Sequence, residues 1–322
     1  MEVKLKVTVI GCGRWGSFIA WYLDKIHHQV TLYGRTTSER MKRFQETRKN
    51  DMLTLADSVL LETDLARAIE SETIVISINS QALRGLMDQL KEYDLSQKYI
   101  VLCMKGIEIE TGERLTQIVR EYLPDNPRVA VWLGPGHVQE FCNGISNCMV
   151  IDSEDEATKK KLVQEFSSDL IRFYYGTDLI GNEIGGATKN VIGIAAGMLD
   201  GLHMSSLKGA LTSRGTREVA RLIKAMGGNE LSAYGLCHLG DYGATVFSEF
   251  SNNRKFGEMY VKGEPYEKLA EGYYTVKAIK KLEEKYQVEM PICNAVYDVL
   301  YQEVPIQDEL KKLFARSLKK EF

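Results

Sequence analysis

Lys6-Val7-Thr8-Val9-Ile10-Gly11-Cys12-Gly13-Arg14-Trp15-Gly16 begins as a run rich in β-branched residues and breaks at a glycine. That run predicts a short buried strand, and Phe18, Ile19, Tyr22 and Leu23 predict an apolar helix directly after it. Gly11, Gly13 and Gly16 between them stand in the spacing G-x-G-x-x-G, in the strand, turn, helix setting that the dinucleotide fingerprint requires. The glycines permit a tight turn, the approach of backbone to a pyrophosphate and close helix packing, while the helix N-terminus, opening at Arg14 and Trp15, supplies positive potential. A second strand, 29–33, ends in Gly34-Arg35-Thr36. An NAD-selective site usually carries Asp or Glu here to accept the ribose hydroxyls. Arg35 takes that place, with Thr36, Thr37 and Ser38 beside it, which favours NADP or loose discrimination between NADP and NAD.

Working outward, strand-like and helix-like runs alternate: 59–62 then 64–69, 73–78 then 81–93, 99–104 then 111–123, 128–133 then 136–142, 147–151 then 155–167, closing with 171–175. This is the pattern of an α/β, doubly wound (Rossmann-like) sheet. Ligands bind such sheets beyond the carboxyl ends of the strands. Asn79-Ser80-Gln81, Lys105-Gly106-Ile107-Glu108 and Gly134-Pro135-Gly136-His137 follow strands and so become candidates.

After a Gly/Thr/Asp connector at 176–181 the strand pattern stops, and helices are expected over 183–202, 207–227, around 232–248, 266–286 and 290–302. The expected organisation is a dinucleotide-binding domain, 1–178, and an all-helical C-terminal domain, 179–322. Within the first helix of the second half, Ile184, Ala187, Val191, Ile194, Met198 and Leu202 give an apolar face, yet Lys189 and Asn190 lie in its middle. Lys and Asn are seldom buried without a partner, so these two either reach solvent or line a site. Gly185, Gly186, Gly193 and Gly197 each weaken a helix by about 1 kcal/mol, which makes sense where something must approach the backbone closely.

Composition narrows the class. With 41 Lys and Arg against 44 Asp and Glu the formal net charge is −3, which with no basic-aromatic interleaving excludes a dedicated nucleic-acid binder. Lys159-Lys160-Lys161 and Lys319-Lys320 read as solvated helix faces. The six cysteines show no CxxC pair and no metal spacing, so they read as reduced thiols and no metal is expected. Met1 to Lys6 runs directly into a strand, and the apolar run 191–199 is too short to span a bilayer; a cytoplasmic protein without a membrane span is expected. Val296, Val299 and Leu300 on the last helices are compatible with a homodimer, but such faces more often belong to the domain's own core.

In order along nearly the whole chain, the fingerprint, Asn79-Ser80-Gln81, Lys105-Gly106-Ile107-Glu108, Gly134-Pro135, 183–200, Gly240-Asp241, Asn253-Arg254-Lys255-Phe256-Gly257 and Ala270-Glu271-Gly272 resemble bacterial NAD(P)-dependent glycerol-3-phosphate dehydrogenase. The resemblance implies reversible reduction of dihydroxyacetone phosphate to sn-glycerol 3-phosphate, feeding glycerophospholipid synthesis, with a small phosphorylated substrate as partner. It further implies Lys189 as catalytic lysine, Lys105 as a second active-site lysine, and Asp241 as the acid of a Gly-Asp motif. Gly134, Gly136, Asn190, Ser251, Asn252, Asn253 and Arg254 fall at substrate positions; Gly11, Gly13, Arg14, Trp15, Gly16, Arg35, Lys105, Val138 and Glu271 fall at cofactor positions. The chemistry is coherent: hydride reduction of a ketone creates an alkoxide, which needs a proton donor and a positive field, and a lysine can supply both.

The chain departs from the family pattern mainly on the substrate side. Asn252 stands where the pattern has a phosphate-gripping arginine, and Met204-Ser205-Ser206-Leu207-Lys208 replaces a Gly-Asp-Asn segment. Arg254 and Lys208 are the cations available to compensate. Asn79 replaces a proline and Gly136 a serine or threonine. These changes keep open an alternative: a reductase of the same family acting on a different phosphorylated or carboxylated keto substrate.

Overall fold

The computed structural model describes residues 5–126, 128–318, 320 and 321; the expectations placed on residues 1–4 and on Lys319 lie outside these. The chain forms two compact units, 1–105 with 113–179 and 106–112 with 180–322.

The first unit runs β1 (Lys6–Ile10), α1 (Arg14–Lys25), β2 (Gln29–Tyr33), α2 (Glu39–Thr47), β3 (Leu60–Glu62), α3 (Leu65–Ala68), β4 (Thr73–Ile76), α4 (Leu83–Leu90), β5 (Tyr99–Leu102), α5 (Leu115–Tyr122), β6 (Val129–Leu133), α6 (Val138–Cys142), β7 (Asn147–Ser153), α7 (Glu156–Phe166) and β8 (Ile171–Tyr175). The eight strands make one sheet in the order β3-β2-β1-β4-β5-β6-β7-β8. Neighbours pair in parallel except β6 with β7, which are antiparallel. β4 and β6 are buried along their full length, as expected of parallel strands covered on both faces. Phe18, Tyr22, Trp132 and Phe166 fill one side of this core. The order reverses between β1 and β4, and here Gly11 N–H donates to the Tyr33 carbonyl and Ser77 N–H to the Ile10 carbonyl, both at 2.9 Å. The glycine loop therefore lies at the switch point of the doubly wound sheet, where such folds bind ligands.

The second unit is helical: α8 (Leu179–Gly201), α9 (Lys208–Ala225), α10 (Asn252–Lys262), α11 (Glu271–Tyr286), α12 (Pro291–Tyr301) and α13 (Ile306–Phe314). α8 is buried from 181 to 199, so it is the central element rather than a surface helix with one apolar stripe. Gly197 of α8 and Gly257 of α10 bring the two helices together: a Cβ on Gly197 would lie 1.8 Å from the Arg254 carbonyl oxygen, and one on Gly257 would lie 2.1 Å from that of Ile194. What approaches the backbone of α8 at this point is another helix. Residues 106–112 join this unit because Ile107 is fully buried in its core and Lys281 Nζ donates to the Glu110 carbonyl at 2.6 Å.

The helix expected around 232–248 is replaced by 3₁₀ turns at Glu230–Tyr234 and Leu239–Asp241 and a single π turn at Gly243–Phe247. Gly235, Gly240 and Gly243 interrupt it, and Gly240 N–H closes back onto the Gly235 carbonyl. α2, α10 and α13 were not anticipated; α2 and α10 are too polar for a clear apolar stripe. Val296, Val299 and Leu300 are buried in the core of the second unit. Among the described residues no helix is long and apolar enough to cross a membrane.

Candidate active site

In the first unit, the glycine loop is closed to side chains. Gly11 has φ +114°, and a Cβ there would lie 2.2 Å from the Ser77 carbonyl oxygen; a Cβ on Gly16 would lie 1.9 Å from that of Gly11. Gly13 is extended and caps α1, which opens at Arg14. The fit of these residues to a dinucleotide is thus steric as well as sequential: a bare backbone cradle in front of a helix N-terminus. Trp15 packs its ring on Phe18 and Phe141, with centroids 5.1 and 6.3 Å away. Val138 begins α6 and its side chain is buried in the first core, so only its backbone is available to a ligand. Arg35 is exposed just beyond β2.

Lys105 follows β5, and its Nζ donates to the Gly134 carbonyl at 2.7 Å. Gly134 and Gly136 have φ +125° and +145°, backbone that L side chains rarely adopt. A Cβ on Gly136 would also lie 2.3 Å from Phe141 Cε2. The ring of Phe141 occupies the space of any side chain there, which accounts for a glycine at that position.

The second unit carries the ionic centre. Lys189, on α8, places Nζ 2.7 Å from Asp241 Oδ2 and donates to Thr245 Oγ1 at 2.7 Å. Both charged groups are nearly inaccessible, at 6% and 1% exposure. A buried pair of this kind survives desolvation only when geometry and further hydrogen bonds are good, and the Thr245 hydroxyl is such a bond. Thr245 lies on the π turn, a distortion often found at functional sites. Asn190, next on α8, accepts at Oδ1 from Asn253 Nδ2 at 3.0 Å, while Asn253 Oδ1 accepts from Gly272 N–H at 2.8 Å. The start of α11, where Glu271 stands, is thereby tied to α8 and α10 through a single amide.

Other sequence candidates are occupied elsewhere. Ser251 caps α10 by accepting from Arg254 N–H, and Asn252 Oδ1 accepts from the Tyr266 hydroxyl at 3.1 Å. Arg254 Nε and Lys208 Nζ both pair with Asp200 Oδ2, at 2.5 and 2.6 Å, and Lys208 also donates to the Val246 carbonyl. Burial works against the Asp200 carboxylate, but the bonds from Lys208, Ser205 and Arg254 outweigh it and hold its pKa below the usual range. The two cations that stood as replacements for the missing arginine are therefore bound to one carboxylate at the end of α8.

Sequence reasoning missed two residues beside Lys189. Thr245 is four positions after Asp241, a spacing that puts both on one side of a helical turn, and that spacing was the available signal. His238 gave none. Its Nδ1 lies 2.9 Å from the Gly185 carbonyl and its Nε2 2.8 Å from the Tyr242 hydroxyl. Burial, aided by the charge of Lys189, lowers its pKa to about 4, so the ring is neutral; Nδ1–H donates to Gly185 and Nε2 accepts from Tyr242.

Comparison with known proteins matches residues 6–159 to the family model described as NAD-dependent glycerol-3-phosphate dehydrogenase N-terminus, and 178–311 to the corresponding C-terminus. The chain is 35% identical to the glycerol-3-phosphate dehydrogenase (NAD(P)+) of Chlorobium phaeobacteroides over 98% of its own length and 99% of that protein's. It is 31% identical to the enzyme of the same name from Neisseria meningitidis, over 97% and 99%. Its fold superposes on the crystal structure of glycerol-3-phosphate dehydrogenase from Coxiella burnetii with a TM-score of 0.90 at 26% identity, covering 97% of this chain and 99% of that one.

Proposed function

This chain belongs to the NAD-dependent glycerol-3-phosphate dehydrogenase family, and on that premise we propose that it catalyses the reversible NAD(P)H-dependent reduction of dihydroxyacetone phosphate to sn-glycerol 3-phosphate. The observation that carries this reading is the buried Lys189–Asp241–Thr245 centre. When bound, the nicotinamide supplies the hydride in reduction and takes it back in the reverse direction.

Residues 1–178 are assigned to the cofactor and 179–322 to substrate and catalysis. Gly11, Gly13, Arg14 and Gly16 would hold the pyrophosphate, with Trp15, Arg35, Lys105, Val138 and Glu271 as further cofactor contacts. Lys189 gives its proton to the oxygen that becomes the alcohol and offers positive charge while that oxygen is anionic. Asp241 and Thr245 fix the direction of its Nζ, and Asn190 orients the substrate oxygen. Gly134 and Gly136 leave backbone open to the substrate. With Arg254 and Lys208 on Asp200, phosphate recognition falls to Asn252, Asn253 and the first turn of α10, whose end is electropositive. Arg254 then acts indirectly, by anchoring α10 to the end of α8. The same reading makes this a cytoplasmic enzyme that supplies glycerol 3-phosphate to glycerophospholipid synthesis.

The test is oxidation of NADPH, and separately NADH, by the purified protein with saturating dihydroxyacetone phosphate. Turnover with either supports the assignment. Cofactor binding without turnover would overturn this substrate and direct the search to other phosphorylated or carboxylated ketones.

A further inference from the structure

Along α2 and at its C-terminal cap, three cations have a carboxylate partner. Lys42 pairs with Glu39 at 2.7 Å, Arg43 with Asp51 at 2.8 Å and Arg48 with Asp57 at 3.7 Å. Arg35 and Arg40 are both exposed, and among the described residues neither guanidinium has a hydrogen bond or an ion pair. Their positions are related. Arg35 leaves the end of β2 one residue after Gly34. Arg40, on the first turn of α2, brings Nη1 to within 3.5 Å of where a Cβ on Gly13 would be, so its guanidinium rests against the glycine loop.

Without a ligand, the placement of Arg40 gains nothing from its helix. A cation on the first turn of a helix opposes the helix dipole. The carboxylates that might have paired with Arg35 and Arg40 are engaged. Glu62 accepts from the N–H groups of Thr63 and Asp64, Asp64 caps α3 through Ala66 N–H, and Glu39 holds Lys42. No acidic residue occurs in 34–38, where a cofactor without the extra phosphate would find its ribose acceptor.

We propose that Arg40 joins Arg35 in a two-armed grip on the phosphate carried by the adenosine ribose of NADPH, making the protein selective for NADPH over NADH. Two planar guanidinium forks suit a dianionic phosphate better than ribose hydroxyls, and the end of α2 adds positive potential from a third direction. The proposal rests on the dinucleotide reading above and adds to it a second residue and a direction of preference.

The experiment is a fluorescence titration of the purified full-length protein with NADPH and with NADH, in the absence of ketone substrate, for the parent, Arg40→Ala, Arg35→Ala and Arg43→Ala. The parent is expected to bind NADPH at least about tenfold more tightly than NADH. Arg40→Ala and Arg35→Ala should each weaken NADPH about tenfold or more while changing NADH less than about twofold. Arg43→Ala removes the same charge from the same helix and should leave the ratio intact. Equal weakening of both cofactors by Arg40→Ala would put that arginine on the shared pyrophosphate and overturn the proposal, as would no change. A parent that binds both cofactors alike sinks the selectivity claim alone; a parent that binds neither sinks the dinucleotide reading with it.

Discussion

Lys189 counts Asp241 and Thr245 among its partners, and the lysine and the threonine can be removed one at a time. In Lys189→Ala the proton donor is gone, and a loss of about 10² to 10⁴ in kcat is expected from general acid–base catalysis alone. NADPH binding should persist, because the glycine loop is held entirely within the first unit; turnover near the parent's would refute the role given to this lysine. Thr245→Val keeps the shape but deletes the hydroxyl that receives Lys189 at 2.7 Å. A hydrogen bond to a charged group is worth about 1.5 to 3 kcal/mol, so kcat should fall by about one to two decades with little change in the KM for cofactor. Steady-state kinetics on both variants checks this, and an unchanged kcat in Thr245→Val would reduce Thr245 to packing. Lys189 was legible because a lysine inside a buried, glycine-rich helix demands an explanation. Thr245 was hidden because threonine is ordinary in any turn, and its meaning arises only when the π turn aims it at Nζ.

At the scale of elements, the contact between α8 and α10 has no slack. In Gly197→Ala the new methyl would overlap the Arg254 carbonyl, which belongs to backbone and cannot rotate away. Overpacking of this kind costs about 1 to 3 kcal/mol or more. It should also lower kcat, since α10 carries Asn253. Gly209→Ala, in the exposed first turn of α9, meets nothing within 4 Å and should stabilise the protein by about 0.5 to 1 kcal/mol. Thermal unfolding of the two variants gives opposite signs if the packing is as described; equal shifts would mean that α10 yields. The glycines of α8 were visible in sequence, while their purpose was not, because α10 opens with Asn252-Asn253-Arg254-Lys255 and offers no apolar stripe to announce a helix. The alternating first half was easier to read. Parallel strands buried on both faces leave dense runs such as Val129–Leu133, whereas the antiparallel turn of β7 depends on a short α6 connection that hydrophobic pattern does not encode.

For the molecule as a whole, two buried groups in the second unit pull stability in opposite directions with pH. Burial raises Glu218 from 4.5 to about 7, against the N–H groups of Ile292 and Cys293 that favour its anion. Its folded pKa lies above the unfolded one, so its contribution is complete below pH 4.5 and disappears as pH rises through 7. His238 is depressed from 6.5 to about 4, so its contribution is complete above pH 6.5 and disappears as pH falls through 4. The two slopes oppose each other between 4.5 and 6.5. Relative to Glu218→Gln, the parent should therefore gain about 3 kcal/mol of stability as pH falls from 7.5 to 4.5, read from denaturant unfolding at each pH. A difference independent of pH would mean that Glu218 titrates alike in both states.

The seven residues 106–112 set a limit on how the chain can be cut and rejoined. They lie among first-half residues yet fill the second core with Ile107, so a recombination crossover near 179 would pair a new helical half with a foreign plug. A chimera taking only 180–322 from a 35%-identical relative should express less well than one that also takes 106–112. The part that must be exchanged together is thus discontinuous in the gene, two separate stretches that fold as one body.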